Sequence, residues 1–249
     1  MKKLYQSKAV LHSLVWLGIY LVMNTITGNL AGSLHDDFHM VSAIPNLALA
    51  VVCCFYLVRT GIMKDIGLFT RPAERSSVML FYLPLFVLPF LNLIYGINTS
   101  LPPLQIVFLF AMYAGVGFME EIVFRGLMFS ALTKKWSRYV VVVFISATFA
   151  IGHIVSMAAI GQSGIDTVLQ IINAFVVGFM FMAVILASRN LTACIAAHIL
   201  YNFIANISLV GYTHTDIILL NTVITALYFV YLVFRAKNVK AYFNEPAAR

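Results

Sequence analysis

Charge is scarce in this chain. Asp, Glu, Lys and Arg make up 10% of its 249 residues, against roughly 25% in a soluble domain. An ordinary soluble globular protein is excluded. Cysteine is scarce too. Its three copies, Cys53, Cys54 and Cys194, all fall inside apolar stretches. No secreted-type disulfide framework is available, and these thiols read as small buried hydrophobes. HExxH, GxSxG and GxGD strings are missing. Their absence removes the usual helix-borne zinc protease, the serine elbow and GxGD aspartyl chemistry. No internal repeat, low-complexity tract or large soluble domain interrupts the chain.

What remains is 62% hydrophobic, with a mean hydropathy of +0.95. Apolar runs of about 20 residues recur eight times, at roughly 9–31, 40–58, 78–97, 104–130, 140–160, 166–187, 191–210 and 215–234. The expected fold is an all-α polytopic bundle of about eight transmembrane helices, one domain over 1–249, in the cell membrane. The first span is longer than a signal-peptide core and reads as retained. Fifteen of the sixteen basic residues fall at the termini or in alternate connections: Lys2, Lys3 and Lys8; Arg59, Lys64, Arg71 and Arg75; Lys134, Lys135 and Arg138; Arg189; Arg235, Lys237, Lys240 and Arg249. The intervening loops hold none. The positive-inside rule makes both termini cytoplasmic. The net charge of +7 therefore has a topological meaning. It predicts attraction to anionic lipid and does not argue for nucleic acid.

The sixteenth basic residue is Arg125, and it lies in the fourth run with Glu120 and Glu121. Each ionised side chain at bilayer depth costs roughly 2.5–3.5 kcal/mol on insertion scales. Glu121 and Arg125 are i and i+4 and could form a merely structural pair. Glu120 points about 100° away and is left without a partner from its own helix. Helix rise places Glu120 and His153 both roughly 21 Å from the basic ends of their helices, and His198 and Asn202 roughly 12–18 Å. Taken singly, each histidine could be a core residue, and Asn202, Asn173 and Asn206 could be interhelical hydrogen bonds. Taken together, Glu120, Glu121, Arg125, His153, His198 and Asn202 are expected to line one water-accessible cavity.

Three motifs carry these residues in order: Glu120-Glu121-Ile-Val-Phe-Arg125, Phe149-Ala-Ile-Gly-His153 and His198-Ile-Leu-Tyr-Asn202. The set resembles the CPBP family (CAAX proteases and bacteriocin-processing enzymes, also called Abi), marked by EExxxR, FxxxH and HxxxN. The resemblance covers about 104–210. It implies an intramembrane endopeptidase acting on a peptide or membrane-protein substrate, such as a prenylated tail or a bacteriocin or pheromone leader. It further implies that Glu120 and His153 activate water, His198 and Asn202 stabilise the oxyanion, and Glu121 and Arg125 orient and balance the site. The chemistry suits these residue types, since hydrolysis needs a base for water and donors for the developing oxyanion.

No cofactor is required by this reading. Arg125 beside the carboxylates would oppose a dication, although two histidines and two glutamates could ligate zinc as a set. Two other classes stay open on the residues alone. One is a membrane scaffold or immunity protein that uses the cavity to bind a partner. The other is a proton- or ion-coupled transporter, which the lack of a repeated hydropathy pattern disfavours. The site is expected to open towards the cytoplasmic half of the bilayer. The basic asymmetry predicts that a membrane-impermeant thiol reagent labels Thr99→Cys in intact cells. It should label Lys134→Cys only after permeabilisation, and the reverse pattern would invert the topology.

Overall fold

The computed structural model describes residues 1–70, 79–154, 163–211 and 214–244. Arg71, Glu74, Arg75, Glu245, Arg249 and the far end of the fifth expected span, 155–160, lie outside the described residues. Everything regular among the described residues is helical, apart from one isolated bridge between Ile97 and Ser208. The order is α1 (Lys2–Ser7), α2 (Ala9–Leu34), α3 (Met40–Thr60), α4 (Ile62–Asp65), α5 (Met79–Val87), a 3₁₀ segment (Leu88–Leu93), α6 (Pro103–Glu120), a π-helical segment (Glu121–Met128) and α7 (Phe129–Leu132). Then follow α8 (Arg138–Gly152), α9 (Gly164–Ser188), α10 (Leu191–Ile207), α11 (Thr215–Arg235) and α12 (Lys237–Asn244).

Five described helices are long and apolar enough to cross a membrane: Ala9–Leu34, Met40–Thr60, Pro103–Leu132, Gly164–Ser188 and Thr215–Arg235. Three shorter apolar helices complete the expected set: Tyr82–Leu93, Arg138–Gly152 and Leu191–Ile207. The chain is thus a multi-pass helical membrane protein. Its outward faces fit hydrocarbon: Val22, Ile26, Phe55, Val107, Leu227 and Phe234 are each about 60% exposed or more. In water such a surface would be one large apolar patch.

The third expected span does not run as one α-helix. Pro84 lies inside α5, and Pro89 opens the tighter 3₁₀ stretch. Each proline removes a backbone donor and crowds the preceding turn, so the helix narrows there. Helix α10 has 17 residues, about 25 Å at helical rise. It ends where Leu209 N–H donates to Gly96 O and Asn98 N–H to Ile207 O. Those bonds clamp the loop before α6 to the loop after α10.

Close backbone approach sets the core around α6. A Cβ on Gly115 would run into the Asn46 backbone of α3, and one on Gly117 would stand 2.9 Å from Ile199 Cγ1 of α10. On α9, a Cβ at Gly178 would meet Ser146 of α8 at 3.0 Å. Small residues admit helix contacts of this kind in membranes. Polar bonds add to them: Asn46 Nδ2 donates to Asn24 Oδ1 at 3.2 Å, and Asn173 Nδ2 to Thr222 Oγ1 at 2.9 Å. Asn206, also expected to bridge helices, instead donates to Asn202 O of its own helix at 2.8 Å. Cys53 and Cys194 are buried and all three thiols are free.

Gly115→Ala should lower thermal stability in detergent by about 1–3 kcal/mol, the usual range for overpacking. Gly18→Ala, where nothing lies within 4 Å, should leave it unchanged or slightly raised. Equal melting of the two variants would show that the α3–α6 approach is not tight.

Candidate active site

Glu120 ends α6 and Glu121 begins the π-helical segment. A π turn bonds i to i+5 and is rare outside functional sites. All eight residues of this one, Glu121–Met128, are buried. It fits because Gly126 carries no side chain: a Cβ there would meet Ile66 and Leu191 side chains at 3.2–3.3 Å. The change of pitch falls between the two carboxylates. Glu120 stays half-buried on a cavity, whereas Glu121 is wholly enclosed.

Glu121 is the anchor. Its Oε1 accepts from Arg125 Nη1 at 3.1 Å and lies 2.9 Å from His198 Nδ1. Arg125 is 1% exposed, and its Cζ lies 3.9 Å from the Phe149 ring centroid and 5.7 Å from that of Phe181. Desolvated cation–π contact of this kind is worth about 2 kcal/mol. Phe149, the first residue of the second motif, is therefore the floor under the guanidinium. Its ring also meets the edges of His153 at 5.5 Å and His198 at 6.0 Å.

His198 spans the two glutamates. Nδ1 faces Glu121, and Nε2 lies 3.6 Å from Glu120 Oε2. With Nδ1–H donating to Glu121, Nε2 accepts in the neutral ring and donates in the imidazolium. The other oxygen of Glu120, Oε1, accepts from Tyr20 OH of α2 at 2.7 Å. Tyr20 was not among the candidates from sequence. The signal was a phenol at mid-span, which needs a partner in an apolar environment.

Glu120, His153, His198 and Asn202 all line one cavity of about 270 Å³. Glu121 and Arg125 do not line it and are buried behind it, so the six expected residues divide into four on this cavity and an enclosed pair. Cys194 is absent from the cavity wall, its Sγ lying 3.7 Å from Phe181 O. A cysteine mechanism has no nucleophile there. Among the described residues, no three His, Cys, Asp or Glu side chains converge as a set that could hold a metal ion.

From Glu120 the cavity wall continues through Tyr113, Asn206, Gln170 and Ile218. Gln170 is in the second turn of α9, Asn206 is the penultimate residue of α10, and Ile218 is in the first turn of α11. These are the helix ends remote from Lys64, Lys134, Arg189 and Arg235. The Arg125–Phe149–Phe181 cluster lies on the basic side of the carboxylates, and Arg125 also forms part of the wall of a second cavity of about 760 Å³ lined by Lys64, Arg138 and Arg189.

Residues 102–204 match the family model described as type II CAAX prenyl endopeptidase Rce1-like. No curated protein and no solved structure matches the chain. The matched segment is similar to the CPBP family, whose members of this type are intramembrane peptidases.

Arg125→Met should cost about 3–5 kcal/mol of stability, because it strands a buried carboxylate. Adding Glu121→Gln should recover part of that loss. Thermal unfolding of the two variants in detergent is the check. A double variant no more stable than Arg125→Met would mean that the pair is not what holds this region.

Proposed function

We propose that this intramembrane endopeptidase cleaves its substrate with water activated by Glu120 and His153, without a metal. The observation that carries the reading is the convergence of Glu120, His153, His198 and Asn202, from three separate helices, on one cavity. A scaffold or a transporter has no need of a base and two kinds of donor around one space. The match of 102–204 to a peptidase family also favours the enzyme.

In the proposed cycle, Glu120 takes a proton from water and the hydroxide attacks the peptide carbonyl. His153, on the same cavity, helps hold that water. The carbonyl oxygen becomes an oxyanion, which accepts from Asn202 Nδ2–H and, in the imidazolium form of His198, from its Nε2–H. Collapse breaks the C–N bond. Glu120 returns its proton to the leaving amine, so a carboxylic acid and an amine result. Glu121 and Arg125 act through His198, since Glu121 fixes which face of the imidazole meets the cavity. Tyr20 holds Glu120 Oε1, leaving Oε2 for the water. Support for the metal-free form comes from Glu121 Oε1, already engaged by Arg125 and His198.

Glu120→Gln should lower cleavage by about 10²–10⁴-fold while the protein still inserts and folds. Asn202→Ala should lower kcat by about 10²–10³-fold with little change in KM. Tyr20→Phe should cost less, since it removes one hydrogen bond to the base and leaves the base in place. A chelator should not inhibit the purified enzyme. Full activity in Glu120→Gln would sink the mechanism. One zinc per chain, lost in step with activity, would turn Glu120, His153 and His198 into candidate ligands.

A further inference from the structure

Peptide hydrolysis makes no use of the second cavity, the space of about 760 Å³ whose wall carries Lys64, Arg138 and Arg189. All three cations sit at helix ends. Lys64 is in α4, directly after α3; Arg138 opens α8; Arg189 caps the end of α9. Such ends mark the level at which a bundle leaves hydrocarbon and meets the phosphates of the lipid headgroups. The frame around the space is fixed. Leu191 N–H donates to Gly67 O at 3.0 Å and Phe69 N–H to Thr192 Oγ1 at 2.9 Å. Thr70 Oγ1 donates to Arg189 O at 2.8 Å and Asn190 Nδ2 to Thr70 O at 2.9 Å. These bonds stitch the loop after α4 to the turn between α9 and α10. Gly67 permits the approach: its φ is +74°, and a Cβ there would stand 3.1 Å from Arg189 O.

On this stitched frame the side chains of Lys64 and Arg189 make no ion pair or hydrogen bond with any described residue. Arg138 is held at the wall, its Nη1 donating to Tyr242 O of α12 at 3.0 Å and its Cζ 4.9 Å from the Tyr242 ring centroid. Asp65 is the one carboxylate among the lining residues, and it accepts from Tyr5 OH at 3.3 Å. Arg125, which also forms part of the wall, is balanced by Glu121. Three cations therefore face one engaged carboxylate. Ser137 gives α8 no side-chain cap, so the positive end of that helix adds to the field. We propose that this cavity binds a phosphate group, as carried by the headgroup of an anionic phospholipid or by free phosphate. The planar fork of Arg189 suits two phosphate oxygens and Lys64 supplies a point charge beside it. Basic pockets between helices at this level are a recurrent form of headgroup recognition. The wall includes Arg125 and Gly126 of the π-helical segment, so an occupant here steadies the segment that carries Glu121.

The test titrates the full chain, purified in neutral detergent, with three probes: phosphatidylglycerol, phosphatidylcholine of the same acyl chains, and inorganic phosphate. Binding is read by native mass spectrometry and by thermal unfolding, and cleavage plays no part. Phosphatidylglycerol should be retained one to one and raise the melting temperature, and phosphatidylcholine should do neither. Lys64→Gln with Arg189→Gln should weaken retention about tenfold or more and remove the rise. Both side chains are exposed, so this variant should fold, and Lys64→Gln alone should show a smaller loss in the same direction. Lys3→Gln with Lys135→Gln removes the same charge from exposed positions outside the cavity and should leave binding unchanged. Phosphatidylglycerol that inorganic phosphate does not displace assigns the site to a lipid headgroup. A rise in melting with inorganic phosphate alone assigns it to the free ion. Undiminished retention in Lys64→Gln with Arg189→Gln overturns the proposal. Equal loss in the two double variants also overturns it, because general surface charge would then account for the binding.

Discussion

A guanidinium that has lost its water must be balanced by its immediate contacts. Arg125 is in that position, with one bond to Glu121 and an aromatic face on Phe149. Its Nε and Nη2 find no hydrogen-bond partner among the described protein groups, and neither does Glu121 Oε2. The balance is therefore electrostatic and planar more than hydrogen-bonded. That constraint orders everything nearby. Glu121 is held in place by the cation, His198 is aligned by Glu121, and Phe149 cannot move without exposing the charge. What is left facing the cavity is one carboxylate and a set of donors.

Holding that arrangement takes more of the chain than the matched segment. Residues 102–204 supply the motifs, but Tyr20 of α2 completes the setting of Glu120. Helix α3 supports α6 from behind through the Gly115 approach, and α2 is tied to α3 by Asn24 and Asn46. The first two helices thus act as a brace for Glu120. A core reduced to the motif-bearing helices would lack the phenol and the surface against which α6 rests.

Much of this was legible in the sequence for a simple reason: hydrocarbon penalises polarity so heavily that each deep polar residue is informative. The eight apolar runs and the convergence of Glu120, His153, His198 and Asn202 followed from spacing and helix rise. The split of the six into four on the cavity and an enclosed pair did not. It depends on a π turn at Glu121, and no feature of Glu-Ile-Val-Phe-Arg-Gly announces a change of pitch. Tyr20 was missed because aromatic residues are ordinary in such spans, and its partner lies 100 residues away. Which helix ends the cavity wall reaches was not legible, because depth from one helix end says nothing about where the side chains of neighbouring helices leave space.

Helix α10, which carries both His198 and Asn202, spans about 25 Å, whereas the hydrocarbon layer is about 30 Å thick. Its last turn is pinned by the bonds that join 96–98 to 207–209, and tilt would only shorten its reach along the membrane normal. A span this short is matched by local thinning of the bilayer or by neighbouring helices that shield its ends. Hydrophobic thickness thereby bears on this end of the molecule: a thinner membrane matches α10 as it stands, and a thicker one puts load on the bonds that join its last turn to the loop before α6.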